Sequence, residues 1–313
     1  MYHPYFRGKQ FELITIRETA QLLSKSKFVP IIEPVRESLG GLEKALTAIC
    51  EADGRAIVIV NPYHGDHGND GTNISALLQN GHIGTDKISA GILLRSTTTF
   101  ADAKACFASH IDHNPTFIHA GFNEPKELAQ FLGNNLPAST HVFVSRPDDT
   151  LYRRHFNGSR RILVQDGFER RKNADYARNT PERFSELHVT YSDLGMSGFG
   201  DFLIVGDVYS EGGGPAYAVA IHLTYIDADD DDVMYVYHFV STTNDTPTDP
   251  AGKFGQALQK LIDKLDTGHS KLFETSAIKE FRDLHAKKHF PGLGYVKKLS
   301  MKHHIETLAG YRA

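Results

Sequence analysis

A chain of 313 residues with 40% hydrophobic and 23% charged residues has ordinary globular composition, which excludes a disordered or low-complexity polypeptide and leaves room for one large domain or two small ones. A net charge of −4 and a pI of about 6.5 remove any global electrostatic reason for nucleic-acid binding, leaving only a local basic patch as a route to it. Cys50 and Cys106 form no CxxC spacing, and no apolar run reaches transmembrane length, so the reading expects buried structural thiols, no membrane partner and, without a signal peptide at the start, a cytoplasmic location.

The first half alternates strand and helix signals. Met1–Phe6 reads as a short strand, Arg7-Gly8 as a turn and Gln10–Leu23 as a helix with one apolar stripe. Apolar runs at Phe28–Val35, Ala56–Asn61, Ile88–Leu94, Thr116–Ala120, His141–Val144 and Arg161–Gln165 read as strands. Helices are expected at Leu42–Ala52, Phe100–Ser109 and Glu124–Leu132. Strands that are apolar throughout suit a parallel sheet covered on both faces. The rhythm predicts a (β/α)-barrel of the triosephosphate-isomerase type, closed by Phe202–Val205 or by the following hairpin. An open doubly wound α/β sheet is the alternative, although no Gly-x-Gly-x-x-Gly follows an early strand.

The densest β signal comes later. From Ala216, bulky Tyr217, Val219, Ile221, Leu223 and Tyr225 alternate with small or polar residues, and Val233–Val240 is a second strand. The acidic run Asp227–Asp232 between them lacks the glycine and terminal glutamate of an EF-hand and reads as a solvated turn of an antiparallel hairpin. Pairing Ile226 with Met234 gathers the aromatics on one face and sets His222 opposite His238; a slip of one residue separates them. The glycines of Glu211–Pro215 predict a loop with at least one positive φ. The charged region Arg170–Glu186 reads as a mobile loop with a short helix. The tail is helical, with Asp249-Pro250 opening one helix, Ala277–Ala286 another and Ser300 capping the last. Residues 1–313 are therefore taken as one α/β domain: βα repeats over 1–195, a glycine-rich loop and hairpin over 196–241, and a helical tail over 242–313.

Sites in such folds form at the C-terminal ends of the strands. Candidate catalytic groups are Lys9, Glu12, Glu33, Asp166 and Asp201; candidate substrate-binding groups are Asn61, His64, Arg95, His119, Arg146, Arg171, His222 and His238. Glu33, Asn61, Arg95, His119 and Asp166 are expected at one end of one sheet. The basic loop around Arg171 suits clamping of an anion near Asp166. Seventeen histidines invite a metal reading, but His285-x-x-x-His289 has Ala286 where a zinc-protease helix has glutamate, and no metal site is assigned. No cofactor is assigned either.

Several stretches carry a resemblance: Met1–Leu13, Val29–Pro34, Gly200–Tyr225 with its Tyr-Ser-Glu-Gly-Gly-Gly-Pro-Ala-Tyr-Ala centre, Asp249–Phe254 and Phe290–His304. Together they resemble a bacterial family related to the phage-associated beta protein family, whose members look like companions of a nuclease-like protein on mobile elements. The resemblance implies a component of a defence or conflict system working with a nuclease-like protein partner, and assigns no catalytic residue. The other expectation is an autonomous enzyme acting on a phosphorylated or nucleic-acid substrate in the barrel mouth.

Overall fold

The computed structural model describes residues 1–81, 86–144, 150–178 and 181–311. The chain gathers into two compact units, Met1–Gln165 with Thr190–Phe202, and Asp166–Val189 with Leu203–Ala313. The sequence reading takes these residues together as one domain.

In the first unit the order is β1 (Tyr5–Phe6), α1 (Gln10–Lys25), β2 (Ile31–Ile32), α2 (Gly40–Glu51), β3 (Ala56–Ile59), α3 (Thr72–Gly81), β4 (Ile88–Arg95), α4 (Phe100–Ser109), β5 (Thr116–Ala120), α5 (Pro125–Leu132), β6 (Thr140–Val144), α6 (Thr150–Arg154) and β7 (Arg160–Val164). The chain then forms β8 (Glu182–Ser185) and α7 (Leu187–Thr190) before returning as β9 (Gly198–Gly200). Eight strands pair in parallel in the order β1-β2-β3-β4-β5-β6-β7-β9. Beside β9, Phe199 bridges to Tyr2, His3 N donates to Phe199 O at 2.8 Å, and Tyr5 N donates to Asp201 O at 2.9 Å. The sheet thus meets itself as a nearly closed (β/α)-barrel, which excludes the open doubly wound alternative.

Alternation fills the barrel. Tyr5, Ile31, Ile57, Ile59, Leu93, Ile118, Val142, Ile162, Val164 and Phe202 form one cluster. Their strand neighbours Ile32, Val58, Ile92, Leu94, Phe117 and Phe143 are buried on the other face, beneath the helices. The closing strand is Gly-Phe-Gly rather than Phe202–Val205 or the hairpin. The reason is space, because a Cβ on Gly200 would lie 2.2 Å from His3 O.

In the second unit β10 (Ala220–Asp227), β11 (Val233–Val240) and β8 make an antiparallel sheet ordered β10-β11-β8. Ile226 pairs with Met234 and His222 with His238, the register that gathers the aromatics. Val219, Ile221, Leu223, Tyr225, Tyr237 and Phe239 then pack with residues of α8 (Pro250–Asp266), α9 (Ser276–Ala286) and α10 (Leu293–Tyr311). Asp249 caps α8 by accepting from Gly252 N at 2.9 Å, with Pro250 in the first turn. The edge of β10 is covered: His303 Nε2 donates to Thr224 O at 2.8 Å.

Four expectations change here. The first hairpin strand starts at Ala220: residues 216–218 pair with no strand, and Val219 meets only Ser241, just past β11, whose N donates to Val219 O at 2.8 Å. Residues 211–215 are a loop, but none of its three glycines has a positive φ; a Cβ on any of them would meet nothing within 4 Å, so the glycines leave the loop open rather than turning it. The charged region 170–186 holds the expected short helix, a 3-10 helix over Asn173–Arg178, but it also supplies a sheet strand, β8, paired with β11. Ser300 lies buried inside α10, which starts after Gly292 at φ 92°, so it caps nothing. Among the described residues no helix is long and apolar enough to cross a membrane.

Candidate functional site

The barrel parity decides which strand-end residues reach the mouth. Counting in twos from the interior cluster, Tyr5 leads to Arg7, Ile31 to Glu33, Ile59 to Asn61 and Leu93 to Arg95. Glu33 has no exposed surface. Its carboxylate accepts five hydrogen bonds: from the Arg7 guanidinium, the Tyr5 hydroxyl at 3.0 Å, the backbone N–H groups of Tyr63 at 3.0 Å and His64 at 3.1 Å, and His64 Nδ1 at 3.0 Å. Burial alone raises its pKa, but the His64 hydrogen bond and the Arg7 charge outweigh it and hold the carboxyl at about 2. A carboxylate ionised at every physiological pH, with its lone pairs occupied, serves as an organiser rather than as a general acid or base.

Glu33 organises the loop after β3. By holding the Tyr63 and His64 amides it sets the Tyr63 ring, which is half exposed, and the Arg95 guanidinium lies 3.4 Å over that ring. Among the described residues Arg95 makes no ion pair. Asn61 extends the β3 ladder with its side chain: Nδ2 donates to Leu93 O at 2.9 Å and Leu93 N donates to Oδ1 at 2.8 Å. A cavity of about 400 Å³ opens here, its lining including Asn61, Tyr63, His67, Asn69, Arg95 and Thr98. Asp70 and Asp102 also line it, but both carboxylates are engaged at helix starts. Asp70 accepts from Thr72 N at 2.9 Å, and Asp102 forms a capping box with Thr99.

The remaining candidates fall elsewhere. Glu12 is buried and accepts from Arg7 N at 2.5 Å, so it shares Arg7 with Glu33. Lys9 stands at the N-cap of α1 without capping it by its side chain. Asp201 accepts the Tyr2 hydroxyl at 2.7 Å, beside the barrel seam. His119 neighbours Ile118 and so points to the opposite face, toward the helices, where Nδ1 lies 2.6 Å from Tyr152 Oη and Nε2 lies 2.9 Å from His141 Nδ1. It is therefore not a mouth residue. Arg146 lies outside the described residues.

Asp166 follows β7 by two residues and belongs to the second unit, where it accepts from Phe168 N at 2.9 Å and Asp207 N at 2.8 Å. Arg171, also there, binds Glu182 through two parallel hydrogen bonds of 2.6 and 2.7 Å, and Glu169 at 2.5 Å. Its guanidinium thus clamps carboxylates of its own chain. His222 and His238 touch through their Nδ1 atoms at 2.7 Å.

Arg7 and Tyr63 escaped the sequence reading. Arg7 was taken as part of a turn, yet its place two residues beyond Tyr5 on the same strand face is the signal that finds it. Tyr63 carries no such periodic signal, since it lies in a loop.

Among the described residues no three His, Cys, Asp or Glu side chains come together to hold a metal ion. No protein-family model matches the chain, and no curated protein matches it.

Proposed function

We propose that the first unit binds a phosphorylated, hydroxyl-bearing small molecule, such as a sugar phosphate or a nucleotide, in the barrel mouth. One observation carries this reading: Arg95 is held over Tyr63 at the rim of a cavity of about 400 Å³ with no acidic partner among the described residues. A pre-oriented guanidinium meets phosphate oxygens bidentately, and Asn69, Thr97 and Thr98 supply neutral donors and acceptors for hydroxyl groups. The volume suits a mononucleotide. The test is calorimetric titration with ribose 5-phosphate and AMP. Arg95→Gln should weaken binding at least about tenfold, while the fold, followed by circular dichroism, stays intact. Absence of binding by the native protein, or equal binding by the variant, defeats the reading.

A second reading follows from the resemblance, whose motifs lie in both units: a component of a bacterial defence system acting with a nuclease-like protein. The open loop 206–217 supports it by exposing Val208 and Tyr217 to solvent. Co-expression with a nuclease-like protein from a system of that kind tests this. The pair should co-purify, and Tyr217→Ser should weaken the pairing.

A further inference from the structure

The three-stranded sheet of the second unit holds a hydrogen-bonded chain that the barrel-mouth reading leaves unused. Arg171 clamps Glu182; Glu182 Oε2 lies 3.2 Å from His238 Nε2; His238 Nδ1 lies 2.7 Å from His222 Nδ1. The positions follow from the register. His222 and His238 are directly paired on β10 and β11, and β8 brings Glu182 beside β11, opposite Val236. Phe168 and Tyr176, both buried, wall the pair, with Phe168 5.0 Å and Tyr176 4.7 Å from the His222 ring centre.

Proton accounting fixes the tautomers. Two bonds to Arg171 hold Glu182 below the usual carboxylate range, so it is ionised and only accepts. His238 Nε2 must then carry a proton to donate to it. A neutral His238 therefore offers a bare Nδ1, and the 2.7 Å contact requires the proton on His222 Nδ1. That leaves His222 with a lone pair on Nε2. The chain has an open end as well: His238 is 4% exposed, whereas His222 is only partly buried.

We propose that this sheet face is a second chemical site, a proton relay in which His222 Nε2 exchanges a proton with a weakly acidic O–H or N–H group of a ligand. His238 and Glu182 position it. A proton arriving at Nε2 allows the His222 Nδ1 proton to pass to His238 Nδ1, and the His238 Nε2 proton to move toward Glu182. His222 then holds one proton, on Nε2, and His238 holds two, the second shared with the ionised Glu182. Arg171 keeps the carboxylate ionised at rest, so an added proton resides on the histidine pair. The groups facing the pair are Glu182 from β8, Arg171 and Tyr176 from the segment before it, and Lys297 from α10. Burial and the two cations resist even that one proton, so the pair holds it only in passing.

The measurement is nitrogen-15 NMR of the full-length protein labelled at histidine, with His222→Gln and His238→Gln used only to assign signals. At pH 8 the relay requires the proton on His222 Nδ1 and on His238 Nε2, and exchange of the shared proton with water within seconds. Glu182→Gln should slow that exchange by about tenfold or more. The opposite tautomers, or a shared proton protected for hours, would show a buried structural pair and overturn the proposal. Failure of phosphate binding at the barrel mouth does not bear on either readout.

Discussion

Glu33 beyond β2 and Arg7 beyond β1 form an ion pair whose side chains are 0% and 9% exposed. Neither charge has water to fall back on. Glu33→Gln should cost about 3–5 kcal/mol, because it takes a carboxylate charge from beside the buried Arg7 guanidinium rather than merely removing one contact. Urea denaturation followed by tryptophan-independent far-ultraviolet circular dichroism measures this, since the chain has no tryptophan. A loss below about 1 kcal/mol would show that Arg7 finds another partner. The pH dependence has a definite sign. The folded pKa of about 2 lies below the ordinary 4.5, so this stabilisation is present above 4.5 and is lost as pH falls toward about 2.

Asn61 was a candidate ligand group, and its geometry makes it a surrogate for backbone. Asn61→Asp replaces the donor to Leu93 O with an acceptor, setting two oxygens against each other. The expected loss is about 1–3 kcal/mol of stability. A calorimetric melt checks it, and ligand binding at Arg95 should fall with it, since Asn61 lines the same cavity.

His119 and His141 form part of a chain with a fixed direction. Ser139 donates to Leu136 O at 2.6 Å, so its oxygen accepts from His141 Nε2 at 2.8 Å; His141 Nδ1 then accepts from His119 Nε2, and His119 Nδ1 accepts from Tyr152. Burial lowers the pKa of both rings, with His141 adding to the effect on His119, and His141 reaches about 3. The unfolded rings protonate near 6.5 and the folded rings do not. Stability is therefore full above 6.5 and falls as pH drops toward about 3, by at most about 1.4 kcal/mol per pH unit for each ring. Replacing both by phenylalanine removes donor and acceptor together. It should cost little at pH 8 and flatten the acid limb of a denaturation series. An unchanged limb would assign the acid sensitivity to other groups.

What was legible in the sequence was period. The barrel strands showed as apolar runs, and the hairpin register followed from which pairing gathers Tyr225, Tyr235 and Tyr237, so His222 and His238 could be set opposite each other before any coordinates. The mouth was legible only in part, because strand-end polarity was read without phase. One step of alternation from Ile118 already sends His119 to the helix face. Tyr63, which carries Arg95, was beyond reach. Its position depends on two amides meeting a glutamate thirty residues earlier in the chain, and no local pattern encodes that contact.

The closing strand was missed for a reason that yields the sharpest test. Glycine disfavours strands, so Gly198-Phe199-Gly200 looked like a loop. Here the glycines are what allow the barrel to close. A Cβ on Gly200 would lie 2.2 Å from His3 O and 3.0 Å from Val164 Cγ2, and His3 is held by its own bond to Phe199 O. The His3 backbone cannot step aside without breaking the seam. Gly200→Ala should cost about 3 kcal/mol or more, at the upper end for overpacking. Gly255→Ala is the matched control: it lies inside α8 with nothing within 4 Å of the added Cβ. Alanine is the better helix former, so that variant should gain up to about 1 kcal/mol. Hydrogen exchange locates the effect. In Gly200→Ala the amides of His3, Tyr5 and Phe199, which carry the closing hydrogen bonds, should lose protection before those of β3 and β4. Uniform loss across the barrel, or none, would mean that the seam does not hold the ring.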